Sequence, residues 1–339
     1  MNEKLHQLLL KPRNVYRAHV KRGRCKVLLE RYNKMLGLNV TYEEYERTSR
    51  RTGCDEEEYF GFEFYKKTEA ERDEYLTRVR RNEIARKVGD VVKPLTIPGN
   101  KVLFNMIFGE FLHREWINPT AATPEAFAQF VRKHGNVLVK PSTLCSGSGI
   151  YKYAYEGDEA AHALQKKLYG GGYVVEEILK QHPHMDQINP HTINSLRVAT
   201  YTDADEVHLL AAALRFSMHA EGCIDNLHAG GCACAVNTRT GVITSDAFNN
   251  DFSRHSEHPL TGTHFKGFQL PMWDQVVETV RAASRRAYEL PQCRFLGWDI
   301  AFTPDGVAVL EGNWMQGCDL IQYAQGGIYH QLNRLSDKL

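Results

Sequence analysis

Two short stretches carry residue types able to hold a phosphorylated ligand. The first is Val137-Leu138-Val139-Lys140-Pro141-Ser142-Thr143-Leu144-Cys145-Ser146-Gly147-Ser148-Gly149-Ile150, a strand pattern ending in lysine, a small glycine-containing loop, and a second strand pattern. Such a loop lets the backbone amides around Ser146, Gly147 and Ser148 approach phosphate oxygens, while the Lys140 ammonium neutralises charge. Taken alone, the same loop is equally a plain hairpin turn. No G-x-x-x-x-G-K-[ST] and no G-x-G-x-x-G occurs, which excludes a Walker loop and the dinucleotide fingerprint. The second stretch is Gly297-Trp298-Asp299-Ile300-Ala301 followed by Val309-Leu310-Glu311-Gly312-Asn313. Residues two apart on a strand share a face, so Glu311 and Asn313 project together, and a hairpin turn at Thr303-Pro304-Asp305-Gly306 brings Asp299 alongside. Three hard oxygen donors in that arrangement suit Mg²⁺, which takes few protein carboxylates and completes its shell with water and phosphate oxygens. The alternative is an acidic surface pair. Against it stand the apolar neighbours Trp298, Ile300, Ala301, Val309 and Leu310, among which unpaired carboxylates would need a cation.

Two arginines lie in apolar strand contexts: Arg197 in Asn194-Ser195-Leu196-Arg197-Val198-Ala199-Thr200, and Arg215 in Leu210-Ala211-Ala212-Ala213-Leu214-Arg215-Phe216. A cation in such surroundings must meet an anion, either a protein carboxylate or a ligand. The polar, glycine-flanked stretch 222–231 holds Asp225, Asn226 and His228. It suits a mobile segment that closes over reacting groups and excludes water. His228 has a side chain that titrates near neutral pH, so it is either a base or a hydrogen-bonding member of the loop.

The elements that must position these residues change character along the chain. The first 90 residues hold 21 Lys/Arg and 16 Asp/Glu, a net of +5, whereas the remainder is net −4. That part reads as helices, with apolar spacing over 20–36 capped by Gly37. Capping boxes at Thr41-x-x-Glu44 and Thr68-x-x-Glu71 start two more, the second predicted to run about twenty residues to Gly89. The basic run Lys21-Arg22-Gly23-Arg24-Cys25-Lys26 has no aromatic residues interleaved and reads as a solvated helix face. Past Val91-Val92-Lys93-Pro94, helices are predicted over 101–116, after Thr123-Pro124-Glu125 and over 160–169. Strands are predicted over 136–140, 149–155, 173–177, 196–202, 206–216, 230–237 and 242–245. Strands this closely spaced connect as hairpins, so the sheet is expected to be largely antiparallel. A long amphipathic helix over 276–290, a hairpin of 297–302 with 307–312, and a final helix over 321–335 complete the pattern.

The 339 residues are 42% hydrophobic with a net charge of +1, an ordinary globular composition that gives no support to nucleic-acid binding through phosphate neutralisation. The longest wholly apolar run, Leu209 to Leu214, is far short of the ~20 residues a membrane span needs. With only the Leu8–Leu10 triplet where a secretory signal would need an apolar stretch, a cytoplasmic protein is expected. Eight dispersed cysteines point to reduced thiols, and Cys232 and Cys234 to small apolar side chains in a strand rather than a zinc site.

In this order the features resemble the ATP-grasp family, in particular its sugar-transfer-associated and glutamate-ligase-like carboxylate-amine ligases, over about residues 95 to 330. The resemblance implies an α+β fold of two antiparallel-sheet subdomains closing over ATP across 93–335, with a glycine-loop subdomain near 120–180. The helical, charge-rich residues 1–92 would form a separate domain that does not resemble the family's usual small α/β N-terminal domain. By resemblance, Lys101 and Lys140 are the phosphate lysines and Glu176 and Glu177 line the adenine pocket. His184 or Asp186 contacts the ribose, and Asp299, Glu311 and Asn313 bind Mg²⁺. Asn194 with Arg197, and Arg215 beyond them, match the family's arginine strand facing phosphate and substrate, and Asp225-Asn226 its substrate loop. The implied function is amide formation through an acylphosphate from a small carboxylic acid and an amine, either of them sugar-derived, in polysaccharide or sugar-conjugate biosynthesis. A small-molecule kinase of the same fold and a non-catalytic ATP-binding protein are the alternatives.

Overall fold

The computed structural model describes residues 22–90, 99–144, 148–220, 231–249, 251–290, 293–314 and 317–338. Two antiparallel sheets organise the chain. The smaller has the order β1 (Trp116–Ile117), β4 (Tyr173–Glu177), β2 (Asn136–Pro141), β3 (Tyr151–Ala154). The larger has the order β11 (Gly306–Trp314), β10 (Phe295–Thr303), β5 (Ser195–Thr202), β6 (Val207–Ser217), β7 (Gly231–Val236), β8 (Ala247–Asn249), β9 (Arg254–His255). Every pairing in both sheets is antiparallel, as strand spacing requires.

The small sheet packs its Val137, Val139 and Val175 against Phe127 and Val131 of α7 (Pro124–His134) and Leu164 and Leu168 of α8 (Asp158–Leu168). The large sheet is covered on both faces, which is why β5 is buried at every position. One face sends Leu196, Val198, Leu214, Trp298, Ile300 and Val309 against α6 (Lys101–Ile107) and α9 (Trp273–Tyr288). The opposite face sends Ala199, Tyr201, Ala211, Ala213 and Phe295 into a core shared with the N-terminal helices and with α10 (Asp319–Gln325) and α11 (Tyr329–Ser336). Those N-terminal helices are α1 (22–36), α2 (Tyr42–Thr52), α3 (Glu56–Gly61), α4 (Glu69–Asp73) and α5 (Arg78–Lys87).

Several boundaries differ from expectation. The helix begun by the complete Thr68 capping box stops at Asp73, and Thr77 caps a new one. Between them the Leu76 amide donates to, and its carbonyl accepts from, the buried Gln322 side chain, bonds a continuous helix would use internally. The helix predicted to reach residue 116 ends at Ile107. A 3₁₀ turn follows, then His113 with a left-handed φ of 47°, then β1. Residues 242–245 make only isolated bridges through Val242 and Ile243, while β8 and β9 have too little pattern to read. The last helix is two, because Gly327 passes so close to Glu74 and Tyr75 that a Cβ there would lie 2.1 Å from the Glu74 carbonyl oxygen. Cys232 and Cys234 are buried in β7, where burial pushes the Cys232 thiol up to about 12. Of the basic run, Arg22, Gly23, Arg24 and Lys26 are exposed, and Arg22 and Lys26 lie over the Tyr42 ring.

Candidate functional site

Cross-strand register brings the acidic and cationic candidates of the large sheet together. Asp299 lies opposite both Arg197 on β5 and Glu311 on β11, and Ser195 opposite Arg215. All share the face turned toward the N-terminal helices, since their strand neighbours Leu196, Leu214, Trp298 and Ile300 point the other way. Asp299 is the hub. Arg197 donates to both its oxygens, the Nη2 bond being 2.9 Å, Arg215 Nη2 pairs with Oδ2 at 3.1 Å, and Asn313 Nδ2 donates to Oδ2 at 3.3 Å. Arg215 also donates to Ser195 Oγ at 2.6 Å from Nη2. Burial alone would raise the Asp299 pKa, but the charges of Arg197 and then Arg215 outweigh it and hold the carboxyl well below the usual range. Glu311 goes the other way: burial and then the adjacent Asp299 raise its pKa, and Lys101 and Arg197 offset this only in part. Asn313 Nδ2 donates to Glu311 Oε1 at 3.1 Å.

Glu311 reaches this face through an irregularity. Counting back from the two-residue turn, Thr303 pairs with Gly306 and Ile300 with Val309, yet Asp299 pairs with Glu311. Leu310 is therefore an extra residue, a β-bulge. Val309 belongs to the opposite core, and strict alternation would send Glu311 there too; the bulge turns it onto the Asp299 side. Gly312 then falls on the far face, where a Cβ would come within 3.1 Å of Phe104 and 3.2 Å of Trp298, so the missing side chain lets α6 seat against the hairpin.

The small sheet contributes a second charged cluster around Glu176, whose side chain is 2% exposed. Lys140 Nζ lies 2.6 Å from Glu176 Oε2, Arg114 Nε donates to the same oxygen at 2.9 Å, and Asn105 Nδ2 donates to Oε1 at 3.0 Å. Burial opposes the charged form, but Arg114 and Lys140 prevail and hold this carboxyl far below its ordinary value. Arg114 also donates to the carbonyls of Val309 at 2.8 Å and Leu310 at 3.1 Å, joining the two sheets. Glu177 accepts from the Glu115 amide at 3.0 Å. Lys101, the first residue of α6, whose N-cap is Asn100, donates to the Leu144 carbonyl at 2.6 Å at the start of the glycine loop. The lysines, the glycine-loop entrance and Glu311 thus share one region, Lys101 acting electrostatically on Glu311.

The remaining candidates have other settings. His184 stacks on Phe268 at 4.8 Å and bonds the Gln269 carbonyl, and Asp186 accepts from Gln181 at 2.8 Å. Gln181 in turn accepts from the Asn194 amide at 2.6 Å, so Asp186 belongs to the support of the loop entering β5. Ser148 is exposed. Ser146, Gly147, Asn226 and His228 lie outside the described residues. Arg114 and Asn105 were not anticipated from the sequence. Arg114 sits between His113 and Glu115, so the criterion of apolar strand neighbours that singles out Arg197 and Arg215 does not reach it.

The donors fit a divalent cation of the hard, oxygen-preferring kind. Two carboxylates meet on one face with the Asn313 side-chain amide between them, and Glu311 is driven toward its protonated form by burial and then by the Asp299 charge, both of which a cation would offset. Among the described residues no cluster of three His, Cys, Asp or Glu side chains forms a complete protein cage. Mg²⁺ takes few protein carboxylates and relies on substrate phosphates for part of its shell.

Residues 162–337 match the family model described as sugar-transfer associated ATP-grasp. No curated protein matches the chain. Among solved structures, the chain is similar to D-alanyl-alanine synthetase A from Vibrio cholerae O1 biovar eltor (12% identity, TM-score 0.43, covering 71% of this chain and 65% of that one). It is also similar to the ATP-grasp ligase PsnB complexed with minimal precursor (16%, TM-score 0.42, 71% and 60%). A third is N5-carboxyaminoimidazole synthase from Aspergillus clavatus (10%, TM-score 0.37, 64% and 44%). The chain thus spans between 44% and 65% of the length of these proteins.

Proposed function

The chain belongs to the sugar-transfer associated ATP-grasp family, and from that premise we propose that it is an ATP-dependent carboxylate-amine ligase forming an amide through an acylphosphate. The observation that carries the reading is the single sheet face on which Asp299, Glu311 and Asn313 meet Arg197 and Arg215. Two arginines fixed beside two carboxylates form a preorganised site for a metal-bound phosphate. The cations offset negative charge on a transferring phosphoryl group, and the acidic residues hold its metal.

Lys101 and Lys140 would hold the ATP phosphates against the glycine loop of Ser146, Gly147 and Ser148, with Glu177 on the adenine side and His184 or Asp186 toward the ribose. Glu176, expected beside Glu177 at the adenine, is enclosed by Arg114, Lys140 and Asn105. Asp299, Glu311 and Asn313 would hold Mg²⁺, which would supply positive charge against the phosphates. The acid's carboxylate oxygen attacks the γ-phosphorus, the bond to the β-bridging oxygen breaks, and ADP leaves. Arg197 and Arg215 stabilise the charge spread over the phosphoryl oxygens. An amine then attacks the acyl carbon, phosphate leaves, and the amine loses its proton. His228 is the proton acceptor in this reading, and the 222–231 loop with Asn226 excludes water from the acylphosphate. The family's description as sugar-transfer associated supports the reading that one substrate is a sugar-derived acid or amine and that the product belongs to polysaccharide or sugar-conjugate synthesis.

The test is a phosphate-release assay that screens carboxylic acids against amines. Release of ADP and phosphate requiring both an acid and an amine is the expected result. Transfer to an alcohol without an amine would establish a kinase, and ATP binding without turnover across the screen would establish a binding protein.

A further inference from the structure

We propose that Arg114 is a positioning residue that holds the β-bulge at Leu310 and thereby sets the metal-binding direction of Glu311. The inference rests on the reading of Glu311 as a metal ligand.

A guanidinium is a rigid planar fork with donors on two edges. In Arg114, whose side chain is 1% exposed, Nε and Nη2 grip the Glu176 carboxylate while Nη1 and Nη2 grip the successive carbonyls of Val309 and Leu310. Leu310 has no counterpart on β10, because Asp299 pairs with Glu311 and Ile300 with Val309. A bulge leaves backbone groups outside the ladder, and inside a protein those groups need a partner. Arg114 supplies it. Were the bulge to relax into regular pairing, Glu311 would rotate to the face that carries Val309 and leave Asp299. The same guanidinium is fixed by Glu176, which also holds Lys140 at 2.6 Å. The phosphate lysine on the small sheet and the metal carboxylate on the large one are thus registered to each other through one side chain.

Arg114→Lys keeps the charge but cannot span both partners. With the purified full-length chain, ATP binding is titrated calorimetrically in EDTA and at graded Mg²⁺ concentrations. The expected result is a rise of tenfold or more in the Mg²⁺ concentration that half-saturates metal-dependent binding, the size found when groups behind a metal ligand are removed. Metal-free ATP affinity should change less than threefold. In a Glu311→Gln chain, adding Arg114→Lys should shift the Mg²⁺ response no more than twofold, because a residue acting through Glu311 has nothing left to act on. Equal losses with and without metal, or fully additive effects of the two substitutions, would overturn the proposal. If circular dichroism shows that Arg114→Lys does not fold, Glu176→Gln, which weakens the grip on the guanidinium, must move the same Mg²⁺ midpoint or the proposal fails. A wild-type chain that binds no Mg·ATP would instead count against the nucleotide reading itself.

Discussion

Asp299 and Glu311 occupy one proposed metal site, yet their neutralised variants should part company in stability. Asp299→Asn keeps the shape but withdraws the charge that Arg197 and Arg215 share, at side chains 11% and 12% exposed. Arg215 retains Ser195 Oγ, but Arg197 has no other hydrogen-bond partner among the described residues. Removing one member of a buried ion pair strands the other and costs about 3 to 5 kcal/mol. Glu311→Gln removes a carboxylate that burial and Asp299 already disfavour, and the new side chain can still accept from Asn313. Its stability should lie within about 1 kcal/mol of wild type, or above it. Both variants should bind Mg·ATP about a hundredfold more weakly. The assay is urea unfolding at pH 7 followed by circular dichroism, with and without Mg·ATP at a hundredfold excess over the wild-type Kd. Wild type should gain about 2.7 kcal/mol from ligand and each variant no more than about 0.4 kcal/mol. Equal destabilisation by the two substitutions would refute the assignment of Asp299 as the arginine hub and Glu311 as the uncompensated carboxylate.

The raised pKa of Glu311 sets a pH dependence for metal binding. Mg²⁺ needs the ionised carboxylate, so Mg·ATP affinity should be full at high pH and fall as pH drops through a midpoint above the ordinary glutamate value of 4.5. Calorimetry from pH 8 downward that shows undiminished affinity to pH 4.5 would contradict it. At the junction of the helical region with the C-terminal helices, Gly327→Ala should cost about 3 kcal/mol, because its Cβ would meet backbone atoms of Glu74 and Tyr75 that cannot move aside. Gly326→Ala, with open space around it and only a φ of 99° to strain, should cost about 1 kcal/mol. Equal unfolding midpoints for the two would count against the close passage.

What the sequence by itself determined follows from local rules. Alternating apolar strands at short spacing could join only as hairpins, hence two antiparallel sheets. The caps at Thr41, Thr68 and Thr123 start helices because the side chains accept from the backbone amide three residues on. Lys140 at a strand end, and arginines set among apolar residues, were visible for the same reason: a charge in such company needs a partner. Which partner each found was not visible, since that depends on strand register between positions 36 to 102 residues apart. Arg197 meets Asp299 because β5 lies beside β10, and Lys140 meets Glu176 because β2 lies beside β4. Helix ends written by distant contacts, such as Gln322 on Leu76 and Gly327 against Glu74, were equally closed to pattern reading. The sharpest case is Glu311. Its type and its distance along the chain from Asp299 are properties of the sequence, but a two-residue turn followed by regular pairing would set Asp299 opposite Leu310 and send Glu311 to the other face. Only the bulge at Leu310 brings the carboxylates together, and its carbonyl is satisfied by Arg114, a side chain almost two hundred residues earlier in the chain.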